Sequence, residues 1–341
     1  MFIIREVREQ DLEELYKLSE ILKLASKVYF LNLPHDKIYL REKIELSIKS
    51  FSGNLNDHLL GEYIFVMEDL SANKIVGTSM IVTQHGTQIS PHQFFRVKHI
   101  EKFSVSLHKG FIHEVLEYGY NSDGPTEIGG LVLDPNYRNH PDHLGKQLSF
   151  VRFLYIAMKK RLFKDEILAE LQPPLTSSGK SHLWEAIGRK FTNLSYHEAD
   201  QLSRNNKEFI ISLFPEGYIY TCLLNKSARE SIGRINPNTR PVEHMLKNIG
   251  FKYLSMIDPF DGGPHYGAKV KDIILIQNVK QYPIENAKES HLKQNGLLAV
   301  ESKDGFLATQ SHYEIWENKM LIPLSTLNLL KHPKTVSFIP L

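Results

Sequence analysis

The stretch LVLDPNYRNHPDHLGKQLSF, residues 131–150, joins an apolar strand to an apolar helix through a basic loop that bears histidines. At such a junction the free backbone N–H groups and the dipole of the helix N-terminus can hold an anion, and phosphate is the natural ligand. Arg138 and Lys146 could add charge-assisted contacts, and Gly145 allows close backbone approach. The alternative is an ordinary solvated connection, which Pro141 favours because proline removes one donor.

Two carboxylates stand at the ends of apolar strands. Glu127 begins one strand and Glu170 ends the next. We expect both to face one cleft where neighbouring parallel strands splay, and either could take a proton from an amine, directly or through water. The alternative is that they are surface carboxylates at strand ends.

Metal and thiol chemistry are not favoured. The chain has 16 histidines, but His140 and His143 form a loop pair, and the stretch at His113 lacks the second helical histidine of a zinc helix. We therefore predict no metal site.

Cys222 lies in the apolar run YIYTCLL. It is expected to be a buried thiol, where a thiolate nucleophile is disfavoured.

The stretch FDGGPHY, residues 260–266, is most simply a hairpin turn in which Asp261, Gly262 and Gly263 supply backbone freedom. Its two glycines followed by proline could instead form a rigid wall of a substrate pocket.

Hydrophobic spacing predicts the elements that position these residues. A strand over 2–7 is followed by an amphipathic helix over 11–24. Asp36 can cap a second helix. Two strands then flank the short polar stretch LSAN, residues 70–73, as in a β-hairpin.

The strand that leads into the basic loop contains Gly129 and Gly130, which indicate a bulge or a close backbone approach. The helix after the loop is apolar nearly all round and is expected to be buried. The rest of the pattern predicts a strand over 165–171, a helix over 180–191, a strand over 269–277, a polar linker over 283–296 and a β-rich tail. The segments 180–191 and 242–253 each read as a helix, an Ile-Gly pair and then a strand, which is a weak internal repeat.

Composition restricts the class of protein. The chain has 341 residues, 41 Lys plus Arg and 39 Asp plus Glu, for a net charge of +2. This balance does not favour a nucleic-acid or membrane-surface partner. One cysteine fits a reducing compartment, and neither a signal peptide nor a membrane span is apparent. We expect a soluble, cytoplasmic protein.

The sequence resembles the GNAT superfamily of N-acyltransferases in VLDPNYR, a following glycine and a long apolar helix. It is similar more specifically to the arginine N-succinyltransferase family. Seven ordered segments at close to the family spacing carry the resemblance: FVMEDLSANKIVGTSMI, FFRV, EIGGLVLDPNYR, LWEAIGRKF, IYT, IGRINPNT and IDPFDGGP. The resemblance implies an α+β, GNAT-like fold with a mixed twisted sheet flanked by helices.

The resemblance also implies transfer of a succinyl or other acyl group from coenzyme A to the α-amine of arginine or a related amine, the first step of arginine breakdown by the succinyl-transfer route. Leu131 falls at the family position that contacts succinyl-CoA, and its N–H could hold an oxyanion. The implied coenzyme-binding set is Leu131, Val132, Leu133, Arg138, His143, Leu144, Gly145 and Lys146. The candidate amine-binding set, taken from the strand end and the glycine-rich turn described above, is Glu170, Asp261, Gly262 and Gly263. The family assembles from more than one chain, so a homo- or hetero-oligomer is expected.

Four positions depart from the family pattern. Asn236 replaces the proton-donating histidine, and asparagine cannot exchange a proton near neutral pH. Cys222 replaces a second histidine, and Gln172 replaces an arginine. The phosphate loop is two residues longer and has His143 where the family has glycine. Glu127, acting through water, is therefore the candidate base, and Tyr220 is a weaker candidate acid.

Three domains are predicted: a GNAT-like acyl-CoA-binding domain over 1–195, a related second half over 196–283 and a β-rich subdomain over 284–341. Two functions remain open at this stage. One is an active N-acyltransferase, and the other is a non-catalytic relative that binds a ligand or partners an active subunit.

Overall fold

A computed structural model describes residues 1–26, 33–88, 90–204, 206–288 and 292–341. In these ranges the strands are, in chain order, β1 Phe2–Glu6, β2 Glu62–Asp69, β3 Lys74–Val82, β4 His92–Ser104, β5 Lys109–Asn121, β6 Thr126–Leu133, β7 Glu166–Glu170, β8 Tyr218–Tyr220, β9 Lys252–Ile257, β10 Pro264–Lys269, β11 Lys280–Ala287, β12 Gln294–Ser302, β13 Gly305–Trp316, β14 Lys319–Pro323 and β15 Thr335–Pro340.

The α-helices of the same ranges are α1 Leu12–Ser26, α2 Lys37–Phe51, α3 Leu144–Met158, α4 His182–Ala186, α5 Gly188–Thr192, α6 Tyr196–Ser203, α7 Glu208–Leu213, α8 Lys226–Ser231, α9 Arg240–Asn248, α10 Ile274–Gln277 and α11 Leu324–Leu329. Short 3-10 turns link several of them. Among the helices in these ranges, none combines the length and apolar character needed to cross a membrane.

The chain divides into two compact units, and neither is continuous in sequence. The first consists of residues 1–83, 126–165 and 270–341, and the second of residues 84–125 and 166–269. The predicted boundary between residues 195 and 196 falls inside the second unit. That the first two predicted domains are related halves stays a prediction.

The first unit carries α1, α2 and α3 on an antiparallel sheet of β1, β2, β3 and β6. Leu15, Leu18 and Leu22 recur at helical spacing on α1 and are buried. The predicted cap of α2 is confirmed, because Asp36 Oδ1 accepts the N–H groups of Ile38 and Tyr39 at 3.0 and 3.1 Å. The predicted hairpin of β2 and β3 is also confirmed.

The β-rich tail of the first unit closes on itself. Strand β12 pairs with β13 and β15, β15 pairs with β11, β11 pairs with β14, and β14 pairs with β13. Each of the five strands therefore has two partners in the ring, and β11 with β14 is a parallel pair. Leu298, Tyr313, Met320 and Phe338 are buried in its core. The strands of this ring therefore form a mixed sheet.

The second unit consists of the strands β7, β10, β9, β4, β5 and β8, with short helices packed on them. Strands β4 and β5 pair along their whole length, from His92 opposite Asn121 to Ser104 opposite Lys109. This ribbon was not predicted, because charged residues break up its alternation. Large apolar side chains are exposed near its tip, namely Phe103, Val105, Leu107, Phe111 and Ile112.

Three predictions of local structure are wrong. Residues 269–277 were predicted as a strand, but only Lys269 belongs to β10, and the chain continues as a 3-10 turn and then as α10. Ile273, Leu275 and Ile276 are buried there, whereas Ile274 is exposed. The predicted helix over 180–191 is broken into α4 and α5, so its Ile-Gly pair does not lead into a strand as the repeat required.

The third wrong prediction is the polar linker over 283–296, which overlaps β11 and β12. Residues 289–291 of that prediction lie outside the described residues.

Candidate active site

Strand β6 carries the bulge that its two glycines predicted. Gly130 and Leu131 stand opposite Ser79 alone, so the register with β3 shifts by one residue. Gly130 has a φ of +57°, and a Cβ there would lie 2.8 Å from Cβ of Met80. Only glycine satisfies both the backbone angle and the spacing. The bulge turns the backbone at Leu131 out of the regular ladder.

A buried arginine supports this bulge. Arg152 on α3 donates from Nη1 to the carbonyl of Gly129 at 3.1 Å, and from Nη2 to Oγ of Ser149 at 2.8 Å. Its burial lowers the pKa of Arg152 to about 9. The guanidinium therefore connects the buried helix to the irregular part of β6.

Replacing Arg152 by methionine is expected to weaken coenzyme A binding and to lower the unfolding temperature. The carbonyl of Gly129 would lose its donor, which costs about 1–3 kcal/mol for a buried group. Calorimetric titration with coenzyme A and thermal unfolding measure the two effects. Arg161→Met, at an exposed position beyond α3, should leave both unchanged. An Arg152→Met protein with wild-type affinity would contradict the supporting role.

The strand exit is fixed by an ion pair. Asp134 is fully buried, and its Oδ2 accepts from Nζ of Lys74 at 2.7 Å while Oδ1 accepts the N–H of Asn136 at 2.9 Å. Burial alone would raise the pKa of Asp134, but the hydrogen bonds from Lys74 and Asn136 lower it below its ordinary value. The Asp-Pro pair is therefore a structural turn that starts the loop.

Acid is expected to remove the contribution of Asp134 to stability. Its pKa is lower in the folded than in the unfolded chain, so the stabilisation is present above the unfolded value of about 3.9 and is lost as the pH falls through the folded value. Asp134→Asn should therefore cost about 1–3 kcal/mol at neutral pH, and the difference should vanish in acid. Urea unfolding at several pH values measures this. Asp272→Asn, at an exposed site, is the control, and a cost independent of pH would contradict the ion pair.

The basic loop ends at the N-terminus of α3. His143 has a φ of +51° and immediately precedes the helix, a conformation that glycine would adopt at lower cost. Arg138 and His143 are exposed, whereas Leu144 is buried. The nearest protein atom to a Cβ at Gly145 would be Cδ2 of Leu133, 4.0 Å away. Open space therefore lies beside the first turn of the helix.

Gly145→Ala is expected to weaken coenzyme A binding without destabilising the fold. Alanine favours a helix over glycine by about 1 kcal/mol, and its methyl meets no protein atom closely. Lys146→Ala should also weaken binding, by about tenfold or more, through loss of a charge-assisted contact. Lys160→Ala, at an exposed position beyond the other end of α3, should not. Calorimetric titration measures the coenzyme A affinity of each variant. Unchanged affinity in Gly145→Ala and Lys146→Ala would exclude this loop as the pyrophosphate site.

In the second unit, histidines surround the carboxylate of Glu170. Strands β7 and β10 place Glu170 opposite His265. Oε1 of Glu170 lies 3.3 Å from Nε2 of His265, 3.3 Å from Nε2 of His92 and 3.6 Å from Nε2 of His85. Burial would raise the pKa of Glu170, but the three imidazoles hold it well below its ordinary value. Glu170 is therefore an anion in this site.

The turn between β9 and β10 lies beside this carboxylate, and the predicted hairpin turn is confirmed. Oδ1 of Asp258 accepts the N–H groups of Phe260 and Asp261, and Oδ1 of Asp261 accepts the N–H of Gly263 at 2.7 Å. Burial and the charge of Glu170 raise the pKa of Asp258 to about 7. Burial and the neighbouring Asp258 raise the pKa of Asp261 well above its ordinary value.

Backbone hydrogen bonds connect the Asn236 segment to the same region. The N–H of Asn236 donates to the carbonyl of Gln172 at 2.9 Å, and the N–H of Gly233 donates to the carbonyl of Gly262 at 3.0 Å. The side chain of Asn236 accepts the N–H of Asn238 at 3.0 Å. The structure thus brings together Asn236, Gln172 and the Asp-Gly-Gly turn, which are far apart in sequence.

Other predicted residues lie elsewhere. Glu127 pairs with Val82 in the first unit. Tyr220 pairs with Val115, and its ring packs edge-on against His113. Cys222 was expected to be buried, which is wrong: its thiol is exposed, because a 3-10 turn replaces the expected apolar strand at this point.

Sequence reasoning missed the histidine cluster. His85 and His92 are seven residues apart in a turn and at a strand start, and His265 is far along the chain. This spacing matches no helical or loop metal motif, so only the strand pairing of β7, β9, β10 and β4 brings the rings to Glu170.

Comparisons with known proteins identify relatives of this chain. A family model described as arginine N-succinyltransferase beta subunit matches residues 2–275. The arginine N-succinyltransferase of Yersinia pestis (strain Pestoides F) is 32% identical over 316 residues, covering 90% of this chain and 87% of that protein. The arginine N-succinyltransferase subunit beta of Pseudomonas aeruginosa is 34% identical over 281 residues, covering 81% of this chain and 80% of that protein.

A solved structure shares the fold. The arginine/ornithine succinyltransferase subunit AI from Pseudomonas aeruginosa matches with a TM-score of 0.85 at 24% identity, covering 100% of this chain and 98% of that one. The predicted fold class is therefore confirmed. The family match and the sequence identities lead to one conclusion: the chain belongs to the arginine N-succinyltransferase family.

Proposed function

We propose that the protein transfers a succinyl group from coenzyme A to the α-amine of arginine or of a related amine. This proposal rests on membership of the arginine N-succinyltransferase family. The bulged β6 strand, the basic loop and the open helix N-terminus at Gly145 support the coenzyme part of it.

Acyl transfer makes three demands on the chain. The amine, with a pKa of about 8, must lose a proton, the thioester must be positioned, and the tetrahedral oxyanion must be stabilised. The amine nitrogen attacks the carbonyl carbon, the C–S bond breaks, and coenzyme A leaves as the thiol with the proton that the amine gives up. We assign the base to Glu127 through water and the oxyanion contact to the N–H of Leu131.

The coenzyme would bind along one continuous segment. Leu131, Val132 and Leu133 would hold the thioester and pantetheine, and the loop from Arg138 to Lys146, with His143, Leu144 and Gly145, would hold the pyrophosphate. The N-terminus of α3 would supply backbone N–H donors to the pyrophosphate, in addition to the charged side chains of Arg138 and Lys146.

The amine would bind in the second unit. Glu170, held anionic, would contact the cationic group of the substrate, and Asp261, Gly262 and Gly263 would form a wall of the pocket. Asn236 would donate or accept a hydrogen bond without exchanging a proton. Tyr220 remains a weaker candidate acid.

A non-catalytic relative is the second candidate. Asn236 and Cys222 stand at the two family histidine positions and favour it. In that case the protein would bind coenzyme A or partner an active subunit without turnover.

Thiol detection with succinyl-CoA and a panel of amines tests the two candidates. The panel contains L-arginine, L-ornithine and a polyamine, with acetyl-CoA as the alternative donor. Amine-dependent release of free coenzyme A supports the enzyme. A protein that binds coenzyme A yet releases no thiol with any amine supports the non-catalytic relative.

We also propose that the chain assembles into a homo- or hetero-oligomer in the cytoplasm. A relative whose name includes "subunit beta" supports the assembly, and the single cysteine fits a reducing compartment. Light scattering after gel filtration, with the chain alone, measures the mass of any homo-oligomer.

A further inference from the structure

The histidines around Glu170 have no part in the proposed acyl transfer. They all face Oε1 of Glu170, so a ligand bound through Oε1 would leave Oε2 for the substrate. His85, His92 and Glu170 each offer one ligand atom, and these atoms all lie within 4.8 Å of one another. Their rings and carboxylate come from a turn, the start of β4 and the end of β7. We propose that His85, His92 and Glu170 bind one divalent transition-metal ion of the zinc class. The proposal departs from the sequence-based expectation of no metal.

The distances suit such an ion. Bonds of about 2.0–2.2 Å in tetrahedral geometry place neighbouring ligand atoms about 3.3 Å apart. The nitrogen of His92 lies 3.3 Å from Oε1 of Glu170, and that of His85 lies 3.6 Å from it. Both distances to the carboxylate therefore lie within a few tenths of an ångström of the tetrahedral spacing, and the two imidazole nitrogens lie within 4.8 Å of each other.

The ligand types select the class of metal. Two imidazoles and one carboxylate suit zinc, cobalt, nickel or iron, whereas magnesium and calcium prefer oxygen-only sites. Three protein ligands also leave a fourth position for water. The site is reachable, because the side chains of His85 and Glu170 are 20% and 26% exposed whereas that of His92 is 3% exposed.

The surroundings hold the ligands in place. The backbone N–H of His85 donates to the carbonyl of Pro125 at 2.7 Å. Nε2 of His265 lies 3.3 Å from the same Oε1 of Glu170, and His265, Asp258 and Glu170 form a second close set. Partners of this kind orient a ligating carboxylate. The competing explanation is that the histidines only pair with Glu170 as cations, without metal.

Cobalt(II) titration of the full chain, after removal of bound metal with a chelator, separates these explanations. The proposal predicts a visible d–d absorption that saturates at about one equivalent and is displaced by Zn²⁺, with one ion per chain by mass spectrometry. His85→Gln and Glu170→Gln should lower the cobalt affinity by at least about tenfold. His99→Gln removes a histidine from β4 whose side chain is 63% exposed and should change nothing.

Either of two results would overturn the proposal: no saturable absorption in the wild-type chain, or the same cobalt affinity in His85→Gln and Glu170→Gln as in His99→Gln. Circular dichroism of each variant confirms folding, and the wild-type titration remains decisive where a variant fails to fold. These readouts are independent of acyl transfer, so loss of turnover would leave the metal proposal untouched.

Discussion

Glu127→Gln is expected to lower amine-dependent turnover by about 10²–10⁴, the contribution of one general base. Glutamine keeps the size of the side chain but cannot take a proton. Because Glu127 lies at the start of β6 and pairs there with Val82, the fold should survive the change. Initial rates of thiol release at saturating substrates measure the effect.

The control for Glu127 is Glu42→Gln, which changes an exposed carboxylate on α2. It should retain wild-type turnover. Coenzyme A affinity should be equal in both variants, since the loss belongs to the chemical step. A Glu127→Gln enzyme with normal turnover would place the base elsewhere.

Asn236→His is expected to raise arginine-dependent turnover by about tenfold or more, because it introduces a group that exchanges protons near neutral pH. The backbone at this position is fixed by the bond from its N–H to the carbonyl of Gln172. The new imidazole should therefore enter the space of the present side chain. Rates as a function of pH should also show a new dependence between about pH 6 and 7.

Asn238→His places the same group on an exposed neighbour and should not change the rate. If Asn236→His leaves the rate unchanged or lowers it, the site has been rebuilt for an amine other than arginine. Repeating the assay with the amine panel would then identify the accepted substrate.

The local structure of the first unit could largely be predicted because its signals are short-range. Asp36 precedes its helix by one residue, the turn of the β2–β3 hairpin occupies four polar residues, and Gly129 and Gly130 interrupt an otherwise apolar strand. Each pattern depends on backbone chemistry within a few residues, so the sequence contains it directly.

The failures have long-range causes. The apolar run over 269–277 resembles a strand, but packing on α3 makes it helical at Ile274–Gln277. Cys222 follows an apolar strand in sequence, yet a 3-10 turn exposes it. Short apolar runs do not distinguish these outcomes by spacing alone.

The candidate site was predicted in part for the same reason. The residue pattern located Glu170 and the turn at Asp261, the resemblance located Asn236, and backbone contacts bring these segments together. His85, His92 and His265 converge only through strand pairing between distant segments, which no local pattern contains.

The most direct test of the proposed function is to incubate the purified chain with succinyl-CoA and L-arginine and to identify the product by mass spectrometry, with Glu127→Gln in parallel. The proposed function predicts N-succinylarginine acylated on the α-amine, formed by the wild-type chain and strongly reduced in the variant. No acylated product with arginine or any amine of the panel, from a protein that still binds coenzyme A, would contradict it.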